Sequence, residues 1–125
     1  MRVLIANRGE IAIRIARAAD DLGLETVAVF AQDDAGALHT RRASLARALP
    51  GSGVAAYLDM TSLIAIAHDT QCRWVHPGYG FLAENPRFAQ ACEAADLVFV
   101  GPDPHSLGLF GDKLRARALA KSLGV

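Results

Sequence analysis

The feature that most limits the fold of this chain is an alternation of short apolar runs with segments of helical spacing. Continuous apolar runs are typical of strands that are buried on both faces, and they occur at residues 3–6, 26–30 and 97–100. Weaker runs at 44–48 and 74–75 bring the expected number of strands to about five. Helices are predicted at 60–68 and 86–95, with Asn85 as N-cap of the second. An earlier helix carries Ile11, Ile15, Ala18 and Leu22 on one stripe and stops at Gly23.

This order of elements predicts an α/β fold. Strands that alternate with helices over short loops are parallel and are joined by right-handed crossovers. We therefore expect a Rossmann-like doubly wound parallel sheet with strand order 3-2-1-4-5. In such a sheet, ligands bind at the carboxyl ends of the strands where the order switches, here between strands one and four.

Composition narrows the class of protein. The 125 residues suit one domain, and 52% apolar residues favour a compact core. Thirteen basic and thirteen acidic residues balance, so we expect no nucleic acid partner and no membrane partner. No signal peptide or long apolar run is present, which predicts a cytoplasmic location in a bacterium. Cys72 and Cys92 are expected to be small buried hydrophobes.

Two unusual loops follow the first and fourth strands. Residues 7–10, Asn-Arg-Gly-Glu, lie where a helix N-terminus could receive an anion, but their single glycine does not make a dinucleotide fingerprint. The alternative is that Gly9 only permits the turn. Residues 76–85 combine two glycines and a proline with Tyr79 and Phe81. They suit either a ligand or a rigid loop packed by its own aromatics, and the residues alone leave this open. Pro77 holds His76 extended, which favours a role in fixing the loop.

Charged residues supply two further candidates. Lys113 falls in the first turn of a helix that Asp112 could cap. A cation is unfavourable at the N-terminal end of the helix dipole, and a bound phosphate would explain its presence there. The alternative is a solvated surface lysine. Arg14, Arg17 and Asp21 share the outer face of the first helix, which is either solvated or a partner surface. Arg17 and Asp21 are spaced to form an ion pair. We find no spacing typical of a metal site.

These strings together resemble a known family. Residues 5–12, 76–85, 99–102 and 111–113 look like the N-terminal domain of biotin carboxylases, which include parts of acetyl-CoA, propionyl-CoA and pyruvate carboxylases, and the resemblance runs over nearly all of the chain. It implies an enzyme that carboxylates biotin using ATP, bicarbonate and magnesium. The ATP-grasp and C-terminal domains, with the catalytic base and the magnesium ligands, would be absent from residues 1–125. We therefore expect a fragment, inactive alone, with no catalytic or metal-binding residue of its own.

The resemblance also implies roles for particular residues. Lys113 would contact ATP phosphate, and Tyr79 and Gly80 would line the biotin and bicarbonate pocket on a loop that includes Glu84. In dimeric members, the face with Arg14, Arg17 and Asp21 would meet a second copy, giving a homo-oligomer. The expected partners are a biotin carboxyl carrier domain and a carboxyltransferase.

Other hypotheses stay open at this point. One is the front domain of another ATP-grasp ligase, such as the carbamoyl-phosphate synthase large chain, although the 76–85 string argues against it. Another is a standalone Rossmann-like interaction module. Residues 42–46 lack the acids usual in the family, which favours an unusual branch of large fused acyl-CoA carboxylases. The acceptor that is finally carboxylated is not encoded in this region.

Overall fold

The computed structural model describes residues 1–100, which form a parallel sheet flanked by helices. Within that range the sheet has five strands in the order β3-β2-β1-β4-β5, and every neighbouring pair is parallel. The α/β class and the predicted strand order are therefore confirmed. The strands are β1 Arg2–Ile5, β2 Glu25–Phe30, β3 Leu45–Ala48, β4 Trp74–His76 and β5 Val98–Phe99. Lys113 and the helix that Asp112 could cap lie outside the described residues.

The helices divide into three long ones, which the sequence predicted, and two short ones, which it did not. Helices of four or five residues are too brief to show a helical period, so their pattern could not be recognised. None of the helices in residues 1–100 combines the length and apolar character that a bilayer span requires. The helices are α1 Gly9–Asp21, α2 Leu38–Arg42, α3 Gly53–Ala56, α4 Met60–Asp69 and α5 Pro86–Ala94, with one 3₁₀ turn at Gln32–Asp34.

Strand β1 is the centre of the sheet and is buried on both faces. Leu4 packs into the main core with Val27 and Val75, whereas Val3 and Ile5 belong to two smaller apolar clusters. Successive side chains of a strand point to opposite faces, so a continuous apolar run is needed when helices cover both sides. The register places Ile5 beside Ala28 of β2 and His76 of β4.

The buried face of α1 differs from the predicted one. The buried residues are Ala12, Ala16 and Ala19, whereas Ala18 of the predicted stripe is exposed. Alanine is small enough for the helix to approach Ile5 closely, and Ile15 packs at the edge of this contact. The prediction was based on the larger isoleucines, so the predicted apolar face is rotated about the helix axis by about one residue from the observed buried face. The predicted stop at Gly23 is confirmed.

Both cysteines are buried thiols, as expected. Burial raises the pKa of Cys92 to about 11, so this thiol is protonated and unreactive at neutral pH. Cys92 and Phe88 form the buried side of α5, and the Phe88 ring meets the Phe99 ring edge to face at 5.8 Å. Helix α5 is thereby fixed against strand β5.

Asn85 begins α5 as predicted. Its side chain accepts hydrogen bonds from the backbone N–H of Arg87 at 2.9 Å and of Phe88 at 3.3 Å. Asn85→Ala removes both and should lower the free energy of unfolding of the 125-residue chain by about 1 kcal/mol. Asn85→Asp keeps the acceptor and should stay within a few tenths of a kcal/mol of the parent chain. Urea unfolding measures both, and equal midpoints for all three proteins would contradict a capping role.

Candidate functional site

The candidate site lies at the carboxyl ends of β1 and β4, where the strand order switches. Strand β1 pairs with β2 on one side and with β4 on the other. The chain therefore continues from β1 toward one edge of the sheet and from β4 toward the opposite edge. The backbone N–H of Ala6 still donates to the carbonyl of His76 at 2.9 Å, which extends the pairing to the strand ends. The two loops singled out in the sequence therefore emerge side by side at the edge where such sheets bind ligands.

Asn7 joins these two loops through its side chain, which is only 1% exposed. Its Nδ2 donates to the carbonyl of Pro77 at 2.8 Å and to that of Tyr79 at 2.9 Å. Its Oδ1 accepts a hydrogen bond from the backbone N–H of Arg8 at 2.7 Å. The side chain therefore ties the end of β1 to the loop after β4.

Gly78 lets that loop approach α1 closely. Its φ is +68°, and a Cβ built there would lie 2.6 Å from Cγ2 of Ile11 and 2.9 Å from Nδ2 of Asn7. Any side chain would therefore displace the loop from the first turn of α1. Glycine is required here both by backbone conformation and by space.

His76 fixes the start of the same loop. Its ring is 3% exposed, and Nδ1 accepts a hydrogen bond from the backbone N–H of Gly78 at 3.0 Å. Burial lowers the pKa of His76 to about 4, so the ring is neutral near pH 7 and carries its proton on Nε2. This arrangement supports the expectation that His76 holds the loop.

A second group of side chains ties the end of β1 to the segment that follows β2. The Arg8 guanidinium pairs with the Asp34 carboxylate at 3.0 Å and lies 5.7 Å from the centre of the Tyr57 ring. The Tyr57 hydroxyl donates to Asp34 at 2.6 Å and accepts from the backbone N–H of Ala31 at 3.1 Å. Burial and the hydrogen bond to Asp34 raise the pKa of Tyr57 to about 12, so it remains a phenol at neutral pH.

Sequence reasoning missed Asp34 and Tyr57. Neither belongs to a motif, and they come together only through the fold. The one available signal was Tyr57 itself, because a buried tyrosine hydroxyl needs a hydrogen-bond partner. The ring of Tyr57 also meets that of Phe81 at 5.6 Å. Phe81 has a φ of +48°, a strained conformation for a residue other than glycine, and this contact supports it.

The predicted pocket residues follow along the loop after β4. The Tyr79 side chain is 43% exposed, and Gly80 beside it has open space where a side chain would lie. Glu84 is exposed at the far end, where it lines an open hollow of about 490 Å³ together with Phe81, Asn85, Pro86 and Arg87. Tyr79 does not line that hollow. Tyr79 and Gly80 are thus exposed side by side, and Glu84 lines a hollow to which neither of them contributes.

The outer face of α1 exposes all three predicted partner-face residues, Arg14, Arg17 and Asp21. Arg14 pairs with Glu10 at 3.7 Å, and both side chains are largely exposed. Arg17 and Asp21 are suitably spaced, but among residues 1–100 no ion pair joins them. An exposed ion pair contributes little to the free energy of folding, because the entropy lost in ordering two long side chains opposes it.

The arrangement of potential metal ligands also bears on the site. Between residues 1 and 100, no three His, Cys, Asp or Glu side chains lie close enough together to hold a metal ion. That part of the chain therefore holds no preformed site of three protein ligands for a metal ion.

Comparison with known proteins gives a consistent set of relatives. The family model described as biotin carboxylase, N-terminal domain, matches residues 1–107. The pyruvate carboxylase of Bacillus subtilis (strain 168) is 47% identical over 127 residues, which cover 99% of this chain and 11% of that protein. The chain thus spans a small part of this relative.

Two solved structures share the fold closely. The biotin carboxylase domain of a single-chain bacterial carboxylase has a TM-score of 0.79 and 63% identity, with 99% of this chain and 29% of that chain covered. A single-chain, multi-domain long-chain acyl-CoA carboxylase has a TM-score of 0.80 and 53% identity, with 100% of this chain and 13% of that chain covered.

The buried, neutral His76 predicts a specific dependence of stability on pH. The unfolded chain takes up a proton near pH 6.5, whereas the folded chain does so only near pH 4. Stability should therefore fall as the pH is lowered through this window, by about 1.4 kcal/mol per pH unit from this group. His76→Asn keeps an acceptor for the Gly78 N–H and removes the titration, so its urea-unfolding free energy should fall less steeply between pH 6 and 4.5.

The control for this measurement is His68→Asn, which removes an exposed imidazole from the end of α4. It should retain the steep slope of the parent chain. Parallel curves for the parent chain and His76→Asn would show that His76 is not the group responsible.

Proposed function

The chain belongs to the biotin carboxylase N-terminal domain family, and we propose that it forms one wall of the active site of an enzyme that carboxylates biotin. The observation that carries this proposal is the exposed Tyr79-Gly80 pair, held at the ligand-binding edge of the sheet by Asn7. Residues 1–125 would form the domain that precedes an ATP-grasp domain. The remaining walls would come from that domain and from a C-terminal domain.

Tyr79 and Gly80 suit the chemistry of biotin and bicarbonate. The reactive part of biotin is a flat ureido ring with N–H donors and a carbonyl acceptor. An exposed aromatic ring offers it a flat apolar face and a hydroxyl, and the open side of Gly80 lets a ligand reach the backbone. We assign Tyr79 and Gly80 to the pocket and Glu84, farther along the loop, to its rim.

ATP and magnesium complete the proposed reaction. ATP would supply the energy for carboxylation by activating bicarbonate, and Lys113 is our candidate for contact with its phosphates, on the resemblance alone. We assign the magnesium ligands to the ATP-grasp and C-terminal domains, again on the resemblance alone. The chain's own contribution would be to place biotin and bicarbonate through Tyr79 and Gly80.

The proposed partners follow from the same family. A biotin carboxyl carrier domain would bring biotin to this pocket, and a carboxyltransferase would take the carboxyl group onward. The exposed face of α1 with Arg14, Arg17 and Asp21 is our candidate for contact with a second copy. The similarity to two single-chain carboxylases, one of them a long-chain acyl-CoA carboxylase, and the missing acids at 42–46 support a fused parent.

Substitution of Tyr79 in the complete carboxylase tests the pocket. Tyr79→Ala should raise the KM for free biotin by about tenfold, a loss of about 1.4 kcal/mol of binding, and leave the KM for ATP unchanged. Tyr79→Phe keeps the ring and should raise the KM for free biotin by less than Tyr79→Ala does. Because the side chain is partly exposed, the melting temperature should not change. An unchanged KM for biotin in Tyr79→Ala would refute this assignment.

The isolated chain supplies a second test. The purified 125-residue chain should show no biotin-dependent hydrolysis of ATP. It spans 11% of the Bacillus subtilis pyruvate carboxylase and 29% of the biotin carboxylase domain of the single-chain bacterial carboxylase, so we expect most of the active site to lie elsewhere. Phosphate release with and without biotin measures this, with the complete carboxylase as positive control. Turnover above background by the isolated chain would show that the domain carries more of the active site than we propose.

A further inference from the structure

We propose that Asn7 is a positioning residue for the biotin pocket. Its side-chain amide would fix the backbone at Tyr79 and thereby set where the Tyr79 ring and the Gly80 amide meet the substrate. This inference rests on the proposed function of that loop. Asn7 itself is buried and acts through the loop, so it is not a catalytic residue.

The first step of the argument is that the amide of Asn7 is fully used. Its two N–H groups donate to Pro77 and Tyr79, and its oxygen accepts from Arg8. A primary amide has only two N–H donors, so both are committed to carbonyls of one loop. No other side chain of this size supplies two donors and an acceptor in this geometry.

The second step is that Tyr79 has few other constraints. The remaining local hydrogen bonds are from the Gly78 N–H to His76 at the start of the loop, and from the Ala83 N–H to the Gly80 carbonyl within it. Among the described residues, the hydrogen bonds that tie residues 77–80 to the end of β1 come from Asn7. Among the residues that the structure describes, loss of its donors would leave the Tyr79 backbone without a hydrogen bond to the end of β1.

The third step is the tight contact at Gly78. Because a side chain there would clash with Ile11 and with Asn7 itself, the loop packs closely against the first turn of α1 and leaves little room on that side. We therefore expect the loop to move outward, away from α1, when the Asn7 donors are lost. That direction carries Tyr79 and Gly80 with it, and a displacement of about 1 Å is enough to reduce turnover by up to about a hundredfold.

The test uses Asn7→Asp in the complete carboxylase. Aspartate has the same shape but no N–H donors when ionised, so its oxygens would face the carbonyls of Pro77 and Tyr79. We expect kcat/KM for free biotin to fall between about tenfold and a hundredfold. The KM for ATP should be unchanged. Gln90→Glu makes the same amide-to-acid change at an exposed position of α5 and should leave both constants at parent values.

Two further variants keep the test decisive. Asn7→Ala removes both donors without placing a charge at this position and should also lower kcat/KM for biotin, and it replaces Asn7→Asp if the aspartate variant does not fold. In the Tyr79→Ala background, Asn7→Asp should add far less to the loss than it does alone, because both substitutions act at the same point of the loop.

The outcomes separate this inference from the proposed function. If Tyr79→Ala raises the KM for biotin and Asn7→Asp does not change kcat/KM for biotin, the positioning role is wrong and the pocket stands. If Tyr79→Ala has no effect, the pocket assignment itself fails. Equal losses for biotin and for ATP in Asn7→Asp, with a lowered melting temperature, would reduce Asn7 to a structural residue and overturn the proposal.

Discussion

The side-chain amide of Asn7 is the interaction on which the rest of this site depends. Where parallel strands end, the carbonyls of the outgoing loop lose their partners in the sheet, and those of Pro77 and Tyr79 lie at such an end. Leaving a buried carbonyl without a donor costs about 1–3 kcal/mol. Asn7 supplies both donors from the end of the neighbouring strand, so the loop keeps one conformation without forming regular structure.

Two adjacent residues hold the loops on both sides of β1. Asn7 reaches the loop after β4, while Arg8, whose backbone is extended with φ −138° and ψ 173°, reaches Asp34 after β2. Asp34 in turn orients Tyr57, whose ring supports the strained Phe81 farther along the loop after β4. The loop is thus held near its start by Asn7 and near its middle by a group that begins at Arg8.

The parts of this arrangement that follow from local pattern could be predicted from the sequence. Strand order and the long helices follow from runs of apolar residues, and the position of the site follows from where the strand order switches. The inward face of α1 could not be predicted in the same way, because close approach to Ile5 selects small Ala12 and Ala16 over larger apolar neighbours. The Arg8–Asp34–Tyr57 group joins residues that are far apart in sequence, and no spacing reveals it.

The buried residues of the loop hold the backbone on which its exposed residues are carried. Asn7 and Gly78 are buried, yet Tyr79, the next residue, exposes nearly half of its side chain. The Tyr79 ring therefore has a fixed backbone beneath it and solvent above it. A group fixed before its ligand arrives loses little conformational entropy on binding, so more of the contact energy remains for affinity. For this reason we expect the contribution that we propose for Tyr79 in biotin binding to depend as much on the buried amide of Asn7 as on the exposed ring.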